Sequence, residues 1–246
     1  MSFDTEFAVQ TLIVSIKAVP VTLKIVTVSF LLAFIPAFGI ALARIKKIMI
    51  IAIPARFFVS ANRGFPILLQ ILIIYSFVPG LLNSLFVRLG LRIKIFDVNP
   101  IVYAYIVFTF HCMASVSEIF RSSLLTVSEG QYEASLCIGL SPIQAYRRII
   151  LPQALVSALP NLCNTIVGLL KSTALVYYMT IKDVTGAAMN QASIGCNYIE
   201  AYLDVFLVYV VLCSGTQLLF SFFENQMSVR RNGGIKIKSY FFKFVL

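Results

Sequence analysis

Charged residues are scarce in this sequence: Asp, Glu, Lys and Arg make up 12% of its 246 residues, against 59% hydrophobic residues. A soluble domain of this length needs far more polar surface, because only part of its chain can be buried. The mean hydropathy is +0.92, and several apolar runs reach the roughly 20 helical residues that cross a hydrocarbon core. The composition therefore excludes a soluble globular fold and predicts an all-α, polytopic transmembrane helical bundle.

The sequence motifs of ATP-binding, catalytic and metal-binding proteins are absent from this sequence. No glycine-rich loop of the Walker type occurs, so the chain is not expected to bind ATP itself. There is neither a Ser-His-Asp nor a Cys-His arrangement, and the single histidine, His111, has Cys112 beside it, which on a helix points to a different face. The five cysteines show no paired metal spacing and are interpreted as small core hydrophobes. We therefore predict no enzymatic activity, cofactor or metal in this chain.

The start of the chain and its domain organisation are simple. Asp4 and Glu6 precede the first apolar stretch, whereas a cleaved signal peptide has a basic start. No linker rich in Pro, Gly or Ser marks a second domain, so a single transmembrane domain is predicted over residues 1–246, with its core at about 19–224. The basic, aromatic tail at 225–246 is expected to associate with the anionic inner leaflet.

Five membrane spans are predicted, with an interfacial lead-in helix before them at 8–18. The spans cover about 19–43, 53–79, 100–119, 155–177 and 203–223, and Arg63-Gly64-Phe65-Pro66 interrupts the second. With the N-terminus outside, 11 Lys and Arg residues fall on the inner side and 7 on the outer side. This bias predicts an outer N-terminus and a cytoplasmic C-terminus. Because the basic residues follow topology and form no stripe with aromatics, a nucleic-acid partner is excluded.

The cytoplasmic connection 121–154 contains two helix-start signals, of which the first is at Ser128. Gln131 follows three residues later, as in a capping box: Ser128 would accept from a backbone N–H and Gln131 would reach back to the cap. The resulting helix is expected to end at Gly139, since glycine adopts the left-handed conformation at little steric cost.

The second signal begins at Ser141, with Pro142 at the first helical position and Gln144 at the third. This helix is expected to stop near Leu151, because Pro152 disfavours helical geometry in the residue before it. The loop therefore reads as helix, glycine turn, helix. Its apolar residues form two stripes, which either pack beneath the bundle or dock into a partner's groove; they are Ala134, Cys137 and Ile138, then Ile143, Tyr146, Ile149 and Ile150.

The same loop resembles a known family signature. Its pattern closely matches the "EAA" motif of permeases in ATP-binding-cassette importers, with Ser135 in place of the third residue, usually Ala. The resemblance implies a type I importer permease fold, and it implies that this element is a coupling helix seated in an ATPase subunit. The residues to which it assigns ATPase coupling are Glu133, Ala134, Ser135, Gly139, Ile149, Leu151 and Pro152.

Further stretches, over roughly residues 20–224, resemble the polar amino acid permeases within that family. Residues 63–70 are similar to their "RGTPLLVQ", 118–121 to "EIFR", 151–155 to "LPQAL" and 170–175 to "LKDTSL". Ser172 stands where these relatives have Asp, and a further acidic residue common after Asn164 is absent here. Because a cationic side chain in the membrane needs a counter-charge, the resemblance implies a neutral polar amino acid, cystine included, and the segment 184–202 is similar to cystine-type members.

Seven polar residues within the spans are candidates for the substrate pathway. Arg63, at the break in the second span, could attract a carboxylate, pair with Glu118 or snorkel to an interface. Glu118 could equally pair with Arg121 on one helix face, and the polar residues of the fourth span could form interhelical hydrogen bonds. The candidates are Arg63, Gln70, Glu118, Asn164, Thr165, Lys171 and Ser172.

Five spans cannot enclose a pathway alone, so a second permease subunit, identical or paralogous, is expected. The resemblance adds two ATPase subunits, which would bind ATP and Mg²⁺, and an extracytoplasmic solute-binding protein. The best alternative function is an autonomous secondary transporter. Such proteins often contain two related halves with paired broken helices, whereas no internal repeat is found here.

Overall fold

The computed structural model of the protein describes residues 3–91 and 95–231, with side chains up to residue 227. No β-strand occurs among them, and the prediction of an all-α bundle is confirmed. The helices are α1 Thr5–Ile45, α2 Met49–Gly64, α3 Ile67–Ser76, α4 Val78–Arg88, α5 Pro100–Leu125, α6 Glu129–Cys137, α7 Pro142–Ala145, α8 Leu151–Ser172, α9 Val184–Gly195 and α10 Tyr198–Arg231. Short 3₁₀ segments lie at Ile95–Asp97 and Thr173–Met179, and a π-helical turn lies at Tyr146–Ile150.

Five helical segments are long and apolar enough to cross a membrane, which agrees with the predicted number. They are Thr5–Ile45, Ile67–Arg88, Pro100–Leu125, Pro142–Met179 and Tyr198–Met227. Residues 225–231 of the predicted tail belong to α10, and the rest of the tail lies outside the described residues. The third and fifth spans fall where they were predicted, and the fourth is longer than predicted at its N-terminal end. The limits of the first and second need correction.

The lead-in at 8–18 and the first span are a single helix of 41 residues, not two helices. Asp4 caps this helix by accepting a hydrogen bond from the backbone N–H of Phe7 at 3.0 Å. Small buried residues then recur every three or four positions without interruption, so one face packs against α5, α9 and α10 along its length; they include Thr11, Ser15, Ala18, Thr22, Ala33, Ala37 and Ala41. A helix of this length measures about 60 Å, roughly twice the thickness of a hydrocarbon core.

The predicted second span, 53–79, is also wrong in its limits. Pro66 holds the preceding Phe65 in an extended conformation, with φ −100° and ψ 127°. α2 therefore ends at Gly64 as a helix separate from the span, which runs from Ile67 to Arg88. The break was predicted correctly, but it divides two helices instead of interrupting one span.

The core is built around α5, against which α1 packs most extensively. Phe108 is fully buried in this core. Alanines at 33, 37 and 41 of α1 let the two helix backbones approach closely. Phe120 of α5 lies edge-on to two rings of α1, with centroid distances of 5.0 Å to Phe34 and 5.5 Å to Phe38. α2 and α8 pack on the other sides of α5, and this arrangement places three helices around one groove.

Asp183 lies between the fourth and fifth candidate spans and joins α9 to α10. Its Oδ1 accepts from the backbone N–H of Gly186 at 2.8 Å and so caps α9, while its Oδ2 accepts from the hydroxyl of Tyr209 in α10 at 3.2 Å. A Cβ on Gly186 would lie 2.2 Å from the carbonyl oxygen of Ile181, so only glycine fits this turn. The neighbouring Val184 N–H donates to the hydroxyl of Thr22 in α1 at 3.3 Å.

Burial raises the pKa of Asp183 to about 6, against the lowering effect of its hydrogen bonds. An unfolded Asp has a pKa near ~3.9, so between about pH 4 and 6 the folded chain holds a proton that the unfolded chain has lost. Stability is therefore expected to fall as pH rises through this window. Thermal unfolding of the purified wild-type protein should show a lower Tm at pH 7.5 than at pH 5. The drop in Tm between the two pH values should be smaller for Asp183→Asn, whose side chain retains the cap. An equal drop in both proteins would contradict this assignment.

Candidate functional site

The first predicted capping box does not form. Ser128 occupies the N-cap position of α6, but its side chain makes no capping hydrogen bond. Gln131 bonds elsewhere: its Oε1 accepts from Nε2 of Gln153 at 2.5 Å. The prediction was wrong because the partner of Gln131 lies 22 residues along the chain, beyond the reach of a local motif.

The glycine turn at the end of α6 matches its prediction in detail. Gly139 has φ +84°, and its N–H donates to the carbonyl of Leu136 at 2.9 Å. The N–H of Leu140 donates to the carbonyl of Ser135 at 3.1 Å. These two bonds form a Schellman motif, which requires a left-handed residue at the glycine position.

The second capping box is present, since Gln144 N–H donates to Ser141 Oγ at 3.4 Å and Ser141 N–H donates to Gln144 Oε1 at 3.0 Å. However, the helix does not stop near Leu151. α7 continues through the π-helical turn directly into α8, and the N–H of Leu151 bonds five residues back, to Tyr146. Pro152 therefore lies inside one continuous helical segment and does not end it.

The residues of the coupling motif divide into an exposed and a packed group. Glu133 and Ala134 are exposed, as are the apolar side chains of Ile138 and Ile143, at 76% and 80%. Within the motif, Ser135 is buried, and Ile149 and Leu151 are half-buried beside a small cluster formed by Leu124, Ile150 and Ala154. Two alternatives were left open, packing beneath the bundle and docking into a partner's groove. Packing describes Ile149 and Ile150 of the second stripe. Ile138 and Ile143 remain exposed and form an apolar surface at the tip of the loop.

An open groove of about 400 Å³ brings together four of the seven pathway candidates. It is bordered by α2, α5 and α8, through Arg63, Ser115, Glu118, Ile119, Ser122, Asn161, Asn164 and Thr165. Sequence reasoning missed Ser115 and Asn161, which show no motif of their own. Glu118 lies seven residues before the end of α5, about 10 Å along the helix axis, so the groove lies near the C-terminal end of the third candidate span.

The other three candidates lie elsewhere. Gln70 donates from Nε2 to the carbonyls of Asn62 and Phe65, at 3.0 Å and 2.9 Å, and so satisfies backbone groups freed by the break before α3. Lys171 is exposed near the end of α8, and Ser172 leads into the following 3₁₀ segment. None of them borders the groove.

Glu118 is shared by two arginines, and Arg63 is not one of them. Its Oε2 accepts from Nη1 of Arg44 at 2.6 Å, and its Oε1 accepts from Nε of Arg121 at 3.0 Å and also from Nη2 of that residue. The pair with Arg121 was anticipated, whereas Arg44 was read only as part of the inner charge bias. Arg63 is exposed and makes no ion pair with any described residue.

These contacts set the charge of the groove. Glu118 contributes one negative charge, but Arg44 and Arg121 satisfy both of its oxygens. Arg63 remains as a cation without a carboxylate among the described residues. The groove therefore presents excess positive charge and neutral hydrogen-bonding groups, among them the amides of Asn161 and Asn164.

Removal of the shared carboxylate is expected to destabilise the protein. The side chains of Arg44 and Glu118 are only 14% and 22% exposed, so Glu118→Ala would leave two arginines poorly solvated, at a cost of about 1–3 kcal/mol. In a chain of this size each ~1 kcal/mol lowers Tm by about 2–4 °C. The detergent-solubilised variant should unfold several degrees below the wild type. The exposed Glu6→Ala provides the control, and equal Tm values for both variants would contradict a structural ion triad.

Comparison with known proteins adds three findings. The family model "binding-protein-dependent transport system inner membrane component" matches residues 35–229. The chain is 34% identical over 227 residues to the probable amino-acid permease protein YxeN of Bacillus subtilis (strain 168), covering 92% of this chain and 97% of that protein. It is 35% identical over 190 residues to the L-cystine transport system permease protein TcyL of the same organism, covering 77% of each.

Among solved structures, the fold is similar to a crystal structure of an amino acid ABC transporter with histidines. The TM-score is 0.77 at 26% sequence identity, covering 92% of this chain and 100% of the other. The predicted type I importer permease fold is thereby confirmed.

Proposed function

The chain belongs to the family of binding-protein-dependent transport system inner membrane components, and we propose that it carries a small polar amino acid, neutral or cystine-like, across the membrane. As a permease subunit it lines a pathway and leaves ATP hydrolysis to partners. Amino-acid permeases, one for L-cystine among them, are its relatives, and this supports the substrate class.

The charge of the groove is the observation that carries the proposal. A free amino acid presents a carboxylate, for which Arg63 is an unpaired cation within the groove. A cationic side chain would need a carboxylate, and the one present, Glu118, is already bound by Arg44 and Arg121. A neutral polar side chain needs only hydrogen-bonding groups, which Asn164 and its neighbours supply.

ATPase subunits are proposed to dock on the cytoplasmic loop. The exposed side chains of Ile138 and Ile143 flank the Gly139 turn and form a compact apolar tip, as expected of a helical element that inserts into a partner's groove. Glu133 is exposed on the same loop. ATP and Mg²⁺ would bind to those partners, and closure of the ATPase pair would move the loop as a two-state element.

The remaining assembly follows from family membership. We expect a second permease subunit, identical or paralogous, and a solute-binding protein that delivers substrate at the outer side. The N-terminus is placed outside and the C-terminus in the cytoplasm, as the charge bias predicts. The coupling loop then faces the ATPase.

Substrate competition in membrane vesicles tests the proposal. The ligands of the cognate solute-binding protein are first determined, and only amino acids that it binds are then compared. Uptake of a labelled neutral amino acid should be inhibited by excess unlabelled neutral amino acids and cystine, and much less by arginine or lysine. Equal inhibition by lysine would contradict the proposed role of the groove charge.

A further inference from the structure

Gln153 joins three parts of the coupling region through one side chain. It lies in the first turn of α8, the fourth span. Its Nε2 donates to Oε1 of Gln131, in the first turn of α6, at 2.5 Å, and to the backbone carbonyl of Ile149, in the π-helical turn, at 3.1 Å. A carboxamide nitrogen has two N–H donors, so both are used, and each ties α8 to a different neighbour.

The π-helical turn explains why such a connection matters. Tyr146–Ile150 is the segment through which α7 continues into α8, and π-helical turns are rare, strained insertions in an α-helix. A turn of this kind can lose or regain one residue of register and so absorb movement between the helices that it joins. Movement of α6 would then be lost before it reached the membrane, unless a second contact bypassed the turn.

The hydrogen bond between Gln131 and Gln153 provides that bypass. Beside it, the ring of Tyr132 in α6 lies edge-on to that of Tyr146 at a centroid distance of 5.5 Å. Beyond Gln153, α8 continues through Pro160 to the groove-lining Asn161 and Thr165, 8 to 12 residues further along the helix, or about 12–18 Å. A displacement of α6 can therefore reach the groove along α8 without passing through the π-helical turn.

We propose that Gln131 and Gln153 are positioning residues that transmit the movement of the coupling helix α6 to the groove-lining part of α8. The proposal rests on the proposed function, because it assumes that an ATPase moves α6. It assigns Gln131 a role that differs from the capping box that its sequence motif predicts.

The test uses the full transporter, with its ATPase and binding protein, reconstituted in proteoliposomes. Gln131→Ala and Gln153→Ala are expected to recruit the ATPase as the wild type does, and to lower the number of amino acids transported per ATP hydrolysed by about fivefold or more. The double variant should be no worse than either single one, because both changes remove the same contact. The pair Gln131→Glu with Gln153→Lys, which restores a donor and an acceptor, should recover most of the ratio.

Gln144→Ala is the matched control, since it removes a side-chain hydrogen bond of the second capping box in the same loop without touching the contact between Gln131 and Gln153. A fall in the transport ratio for Gln144→Ala as large as for Gln131→Ala would overturn the proposal, because the effect would then reflect loop folding in general. The proposal would also be overturned if Gln131→Ala and Gln153→Ala both transported as many amino acids per ATP hydrolysed as the wild type. Failure of the proposed function is distinguishable, since the wild-type complex itself would then transport no amino acid with ATP.

Discussion

Replacement of Gly139 by proline is expected to abolish transport while leaving the permease inserted in the membrane. Gly139 has φ +84°, whereas the proline ring holds φ near about −65°. The change also removes the N–H that bonds to Leu136, so α6 can no longer end in its Schellman motif. The tip formed by Ile138 and Ile143 would lose its shape. Pull-down of the ATPase subunit from solubilised membranes should fall to background.

Gly90 provides the matched control for this prediction. It has a similar left-handed φ of +70° and follows α4, outside the coupling loop. Alanine at a left-handed position costs about 1–2 kcal/mol, so Gly90→Ala and Gly139→Ala carry equal backbone strain. Only Gly139→Ala should weaken ATPase recruitment. Recruitment that survives both Gly139→Pro and Glu133→Lys would show that this loop is not the docking element.

Arg63→Glu should produce the second large effect, a loss of amino-acid uptake by at least about tenfold, equal to ~1.4 kcal/mol. Arg63 is the groove's cation without an ion pair among the described residues, and a glutamate there would repel the carboxylate of every amino acid. Initial uptake rates in proteoliposomes measure the change, while ATPase recruitment to the loop should stay at the wild-type level.

The control is Arg56→Glu, which reverses charge on the same helix. Arg56 is exposed on α2, two turns before Arg63, and does not border the groove. Arg56→Glu should leave uptake within about twofold of the wild type, since a surface substitution away from the groove is expected to have a small effect. If the two variants lost uptake equally, the loss would reflect the charge of α2 in general, and Arg63 would not be a carboxylate site.

Local chemistry determined which parts of the fold could be predicted. The Gly139 turn and the capping box of Ser141 depend on residues within four positions, and both appear as expected. The capping box of Ser128 failed because Gln131 finds Gln153 across the loop. The end of the second loop helix failed because a π-helical turn carries the chain past Pro152, a geometry that no local pattern indicates.

The groove also combines features that nearby residues determine with features that depend on residues distant in the chain. Polar residues in apolar helices are costly, so Arg63, Glu118 and Asn164 could be predicted as pathway candidates from their positions in apolar stretches of the sequence. The second partner of Glu118 could not, because Arg44 lies 74 residues away in the chain and only the packing of α1 on α5 brings them together. Gln70 is polar for a local reason, the open backbone at the helix break, which sequence reasoning did not separate from substrate contact.

One measurement tests the central claim most directly: uptake of a labelled neutral amino acid by proteoliposomes that contain this chain, its cognate ATPase and its solute-binding protein. The account predicts uptake only when ATP is present on the ATPase side, and loss of uptake when the loop carries Gly139→Pro. Uptake by the chain alone, driven by an ion gradient and independent of ATP, would identify a secondary transporter and contradict the account.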